Sequence, residues 1–100
     1  VGGLRRLWTE AAFRHELLAA AVILGLLIYL QVAAVKFLIF GLLLLLLIAV
    51  EALNTAIESI TDHISPEWAA FARDAKDLGS LAVMCLLVAH GAFLVYVFFD

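Results

Sequence analysis

Residues 37–62 read FLIFGLLLLLLIAVEALNTAIESITD. From Phe37 to Val50 the stretch is apolar, with leucine at every position from Leu42 to Leu47, and Glu51 follows at once. That run is shorter than the roughly 20 residues a helix needs to cross hydrocarbon. The helical pattern nevertheless continues through Ala52, Leu53, Ala56, Ile57 and Ile60. The stretch therefore reads as one long helix over about 34–63, apolar along most of its length and polar on one side in its last turns.

The polar positions of that side are Glu51, Asn54, Glu58 and Asp62, spaced three, four and four residues apart. Seven residues are close to two turns, so Glu51 and Glu58 share a face roughly 10 Å apart along the axis. A carboxylate at the centre of a bilayer costs about 2.5–3.5 kcal/mol, and less toward the interface. Two on one stripe still call for partners. The candidates are a metal ion, Lys76, Arg73 or a neighbouring subunit. Asp62 and His63, at the end of the helix, read as a face that meets water. Glu51, directly behind the apolar run, reads as a functional group.

Two further spans flank this helix. Leu17 to Val35 is interrupted only by Gln31, and Leu81 to Phe99 only by His90 and Gly91. The whole chain has 100 residues, of which 67% are hydrophobic and 15% charged, and a mean hydropathy of +1.17. Soluble domains carry about 45–50% apolar and about 25% charged residues. A chain this small has too little interior to hide so much apolar surface, so lipid must be the solvent for much of it. The expectation is a single all-α membrane domain over residues 1–100 with three transmembrane helices.

Two connecting pieces complete the domain. Leu4, Leu7, Trp8 and Ala11 recur at helical spacing with Arg5, Arg6 and Glu10 off the stripe. This predicts an amphipathic surface helix within residues 1–15. Ser65 is a good N-cap and Pro66 suits a first helical position. A helix over 66–80 is predicted, with Trp68, Phe71, Ala72, Ala75 and Leu78 as its apolar stripe, continuing into the span 81–99. Arg5, Arg6 and Arg14 precede the first span, and Arg73 and Lys76 lie in the 62–80 connection. By the bias of basic residues, both segments are expected on the cytoplasmic side, with Lys36 and Asp100 on the other.

Other readings are narrower. A net charge of −3 with few basic residues gives no hint of nucleic-acid binding. Cys85 is the lone cysteine and has no internal disulfide partner. No G-x-x-x-x-G-K-[ST], no H-E-x-x-H and no cysteine–histidine metal pattern occurs, and His15, His63 and His90 are scattered. His90, inside a span, reads as a helix–helix hydrogen bonder. Glu10 either pairs with Arg14 at i+4 or lends a carboxylate to a metal held also by Glu58. Glu16 marks the interface ahead of the first span. Lys76 and Asp77 are either a solvated pair or a phosphate contact. No secretory signal peptide is read. The chain opens on Val1 rather than methionine, and an upstream segment is expected.

The segment from Glu51 to Asp62, followed by Arg73-Asp-Ala-Lys76-Asp77-Leu-Gly79-Ser80, resembles the signature of the prokaryotic diacylglycerol kinase family. Glu10-Ala11-Ala12-Phe13-Arg14 resembles the stretch before the first span in its Gram-negative branch. The resemblance implies a homotrimer of three-span subunits in the bacterial inner membrane, each preceded by a surface helix that starts further upstream. It implies transfer of the γ-phosphate of Mg-ATP to the primary hydroxyl of diacylglycerol, giving phosphatidic acid. By position, Glu51 is then the proton acceptor, while Glu10 and Glu58 hold Mg2+. Glu10, Glu58, Lys76 and Asp77 contact ATP, and Glu67, Trp68 and Ala69 border the nucleotide. Relatives can carry histidine where this chain has Ala69, so that contact is implied to be through the backbone. Asn54 and Ser80 shape the site and the lipid pocket. Ala12, Phe13, Arg14, His15 and Glu16 line the lipid entry.

These roles are chemically consistent. Phosphoryl transfer needs charge neutralisation and in-line positioning more than covalent chemistry. Magnesium takes oxygen ligands and keeps waters, so two carboxylates with phosphate oxygens suffice. A carboxylate at the edge of the apolar run is poorly hydrated, which suits a proton acceptor, and Glu51 meets that description better than Glu58. Two alternatives stand beside this reading. One is phosphorylation of undecaprenol, as in Gram-positive members. The other is a non-enzymatic assembly or proton-relay subunit. A relay would string ionisable groups through the whole depth of the membrane, whereas here they gather at one end.

Overall fold

The computed structural model describes residues 2–64 and 70–99, and they form four helices. These are α1 (Gly2–Trp8), α2 (Ala11–Tyr29), α3 (Ala34–Ile64) and α4 (Ala70–Phe99). The last three are long and apolar enough to cross a membrane. The expected start of a helix at Ser65 and Pro66, and the nucleotide-bordering positions Glu67, Trp68 and Ala69, lie outside the described residues.

The surface helix is shorter than the 1–15 segment read from the sequence. Thr9 stops it, because its hydroxyl donates to the Arg6 carbonyl at 2.6 Å. The Arg6 guanidinium in turn donates to Thr9 Oγ1 and Glu10 Oε1, both at 2.9 Å. Glu10 is extended (φ −85°, ψ 122°), and α2 begins behind it. Ala11 to His15 therefore open the first spanning helix rather than closing the surface one. Glu10 is paired with Arg6, four residues before it, and not with Arg14. Such an exposed pair adds little stability, but it fixes where the carboxylate sits.

The first span also ends earlier than Val35. Gln31 takes a left-handed conformation (φ 56°), a position usually filled by glycine. The Val32 N–H donates back to the Leu27 carbonyl (3.3 Å) and the Gln31 N–H to the Ile28 carbonyl (3.1 Å). This paired closure, with Val32 packed against the cluster of Leu27, Phe40 and Val97, is the Schellman end of a helix. Gln31 interrupts the apolar run there, but with no glycine or proline beside it the sequence does not read as a helix stop.

Helices α3 and α4 run antiparallel in extensive contact. Lys36 lies over the Tyr96 ring (5.1 Å), Phe40 meets His90 edge-on (5.9 Å), Asn54 meets Gly79, and Asp62 forms an ion pair with Lys76. Leu27, Phe40 and Val97 form a buried cluster that ties α2 to the pair near the 30–33 turn. At the opposite end Leu7 and Phe13 are buried, holding α1 and the start of α2 in place. Around the outside, Leu18, Val22, Leu45, Leu53, Leu81 and Val88 are exposed. In water such a surface would be costly, whereas against lipid or neighbouring chains it is not.

Candidate active site

The polar stripe read from the sequence closes on a cavity of about 220 Å³ where α1, α2, α3 and α4 meet. Glu10, Ala12, Phe13 and Glu16 line it from the α2 side, Glu51, Asn54 and Glu58 from α3, and Ser80 from α4. Leu7, Thr55 and Val83 complete the wall. Two elements account for the convergence. The Arg6 clamp fixes Glu10 ahead of α2, where it lines the cavity. The antiparallel register of α3 and α4 sets Ser80 opposite Asn54.

Within the cavity the carboxylates occupy different environments. Glu51 is 8% exposed, and its Oε1 has no hydrogen-bond partner. Glu58 and Glu10 are exposed to water. Asn54 Nδ2 donates to Glu58 Oε1 at 2.9 Å, which orients that carboxylate along the helix. The Asn54 Oδ1 is buried against Gly79, where a Cβ would collide with it. Close approach of this kind, with a small residue opposite a polar one, is how helices in membranes come together. Thr61, also buried, satisfies its hydroxyl locally by donating to the Ile57 carbonyl at 2.9 Å.

Glu16 acquires in the structure a neighbour that its sequence position does not announce. It read as an interface marker and, by resemblance, as part of the lipid entry. Its carboxyl lies within hydrogen-bonding reach of Glu51, and its Oε2 is buried without a partner. No local spacing signals this, since the two residues come from different helices.

The remaining candidates are apart from the cavity wall. Arg14 and His15 are exposed on α2. Lys76 pairs with Asp62, which gives that carboxylate a partner across α3 and α4 rather than only water. Lys76 is one turn before Ser80 on α4, so it borders the water end of the same face, and Asp77 beside it is exposed. Among the described residues no group of three or more histidine, cysteine, aspartate or glutamate side chains is gathered to hold a metal unaided. The donor set present, Glu10 and Glu58 on facing sides of one cavity, supplies two oxygen ligands. That fits a magnesium ion which draws its other ligands from phosphate and water.

The chain matches the family model described as prokaryotic diacylglycerol kinase over residues 1–98. It is 46% identical over 97 residues to a diacylglycerol kinase of Sinorhizobium sp, covering 97% of this chain and 71% of that protein. It is 37% identical over 87 residues to the diacylglycerol kinase of Escherichia coli K12, covering 86% of this chain and 71% of that one. With that of Haemophilus influenzae the identity is 34% over 82 residues, covering 82% of this chain and 70% of that one. Three apolar helices with a carboxylate-lined cavity at one end, matched over nearly their whole length, place the chain in the prokaryotic diacylglycerol kinase family.

Proposed function

We propose that the chain transfers the γ-phosphate of Mg-ATP to the primary hydroxyl of diacylglycerol at the cytoplasmic face of the bacterial inner membrane. The observation that carries this reading is the order of the carboxylates. The exposed Glu10 and Glu58 face water, where a nucleotide arrives, and the buried Glu51 lies behind them toward the apolar spans. A lipid hydroxyl at the interface and a nucleotide from solution can meet between the two.

In this reading Glu51 accepts the proton of the lipid hydroxyl as its oxygen attacks the γ-phosphorus, and ADP leaves on the water side. Glu10 and Glu58 would hold a magnesium ion, which when bound would neutralise charge on the phosphate oxygens. Asn54 keeps Glu58 oriented. Lys76 and Asp77 contact ATP at the water end, as do the 67–69 positions, and Ser80 with the 12–16 stretch borders the lipid. The exposed leucine faces of α3 suit a homotrimer, in which neighbouring subunits cover part of the apolar surface.

Incubation with γ-labelled ATP and magnesium in lipid–detergent micelles, offering diacylglycerol and undecaprenol in parallel, tests the reading. Label in phosphatidic acid is the expected result. Label in undecaprenyl phosphate would keep the chemistry and change the substrate. Label in neither lipid would favour a non-enzymatic assembly role.

Glu58→Gln separates the metal-holding role from that of the base. Loss of one anionic ligand is expected to raise the KM for Mg-ATP about tenfold or more while the KM for lipid stays near wild type. An unchanged nucleotide KM would remove Glu58 from the metal site.

A further inference from the structure

Glu10, a carboxylate that would help to hold a metal ion, is already bonded to a cation. Arg6 Nη1 donates to Glu10 Oε1 and to Thr9 Oγ1, both at 2.9 Å. The clamp engages one oxygen of the carboxylate and one nitrogen of the guanidinium. Glu10 Oε2 stays outside it, and so do the donors on Arg6 Nε and Nη2. There is room beside them for a ligand. Arg6 lines a cavity of about 330 Å³ between α1 and α3, with Gly3, Thr55 and Ser59, while Glu10 lines the candidate active site. Both side chains of the clamp are about half exposed, so a ligand arriving from water can reach either.

The guanidinium acts in opposite senses on two ligands. A bare divalent cation approaching Glu10 meets a positive charge beside its ligand, and the two repel. A cation that arrives on a triphosphate comes with more negative charge than its own positive charge. The forked donors of arginine then match phosphate oxygens, with which they form strong charge-assisted bonds. We propose that Arg6 makes the candidate metal site conditional on the nucleotide, disfavouring the ion alone and favouring the ion carried by a triphosphate. This rests on the reading in which Glu10 and Glu58 would hold the metal of Mg-ATP, and adds how the site chooses between the ion and its complex. Arg5, next to Arg6 on α1, is exposed and forms no ion pair among the described residues. The role therefore belongs to one position and not to the basic character of the segment.

Binding, rather than turnover, tests this. Manganese(II) is titrated into the full-length protein in detergent micelles at low salt, alone and with the β,γ-methylene analogue of ATP. Bound ion is read by electron paramagnetic resonance. Arg6→Gln is expected to tighten binding of the ion alone about fivefold, the effect of removing one unit charge a few ångströms away in water. It is expected to weaken binding of the ion with the analogue about tenfold, as loss of a hydrogen bond to a charged group does. High salt is expected to shrink the first shift. Arg6→Lys keeps the charge and loses the fork, so the ion alone is expected to bind as in the parent and the complex more weakly. Arg5→Gln removes the same charge one position earlier, and both affinities are expected to stay within about twofold of the parent.

Shifts of the same sign in the two titrations of Arg6→Gln would overturn the proposal, because Arg6 would then only hold Glu10 in place. An absent shift in either titration, or the same pair of shifts in Arg5→Gln, would overturn it as well. If Arg6→Gln does not fold, Arg6→Lys decides, and a complex bound as tightly as in the parent would overturn the proposal. Opposite shifts without phosphate transfer to either lipid would keep the role of Arg6 and sink the kinase reading. Transfer with shifts of the same sign would do the reverse.

Discussion

Glu51→Gln is expected to abolish phosphate transfer in the proposed reaction while leaving binding of Mg-ATP largely intact. The amide is close to isosteric with the carboxyl, so the packing around a side chain only 8% exposed changes little. What is lost is the ability to accept a proton. General-base catalysis contributes about 10²–10⁴-fold, so kcat is expected to fall by about a hundredfold or more. Nucleotide affinity, measured by equilibrium binding in micelles, is expected to stay within about twofold, because Glu10 and Glu58 are untouched. Wild-type-like turnover would remove Glu51 from the proton-accepting role. Loss of nucleotide binding together with turnover would assign it to the metal site instead.

The second large effect is expected where no ionisable group changes. In Gly79→Ala the new methyl occupies the place of the Asn54 amide oxygen. The cheapest relief is rotation of the Asn54 amide, which breaks its 2.9 Å bond to Glu58. Activity is expected to fall about tenfold, through a raised KM for Mg-ATP, as removal of an outer-shell partner of a metal ligand does. Gly79→Leu cannot be relieved by one rotation and forces α3 and α4 apart. It is expected to cost about 1–3 kcal/mol, seen as a lower thermal midpoint in detergent. Asn54→Ala in the Gly79→Ala background distinguishes packing from function. It removes the colliding oxygen and is expected to leave the thermal midpoint near that of the parent without restoring activity. A Gly79→Ala protein with wild-type kinetics would show that Asn54 does not orient Glu58.

The Asn54–Gly79 contact illustrates how site and fold are read at different levels. Asn54 and Glu58 are four apart on one helix, and their hydrogen bond follows from helical spacing alone. That Gly79 must be a glycine follows only from the register of α4 against α3. Glu16 is a starker case. Its approach to Glu51 depends on where α2 begins. That start is decided by the Arg6–Thr9–Glu10 clamp and not by the apolar stripe, which ran on through Ala11. The end of α2 was marked in the sequence only by Gln31 as a polar interruption, because its left-handed conformation is not one that glutamine signals.

The apolar runs and the spacing of Glu51, Asn54 and Glu58 sufficed for the membrane setting, the long polar-ended α3 and its carboxylate stripe. These depend on near-neighbour geometry, on which a helix imposes one periodicity whatever surrounds it. The cavity joining Glu10, Glu16 and Ser80 to that stripe depends on the relative placement of four helices. In an apolar solvent that placement is set by small residues, a few polar contacts and the turns between helices. Hydrophobic periodicity reports none of these, because lipid and helix partners accept the same side chains.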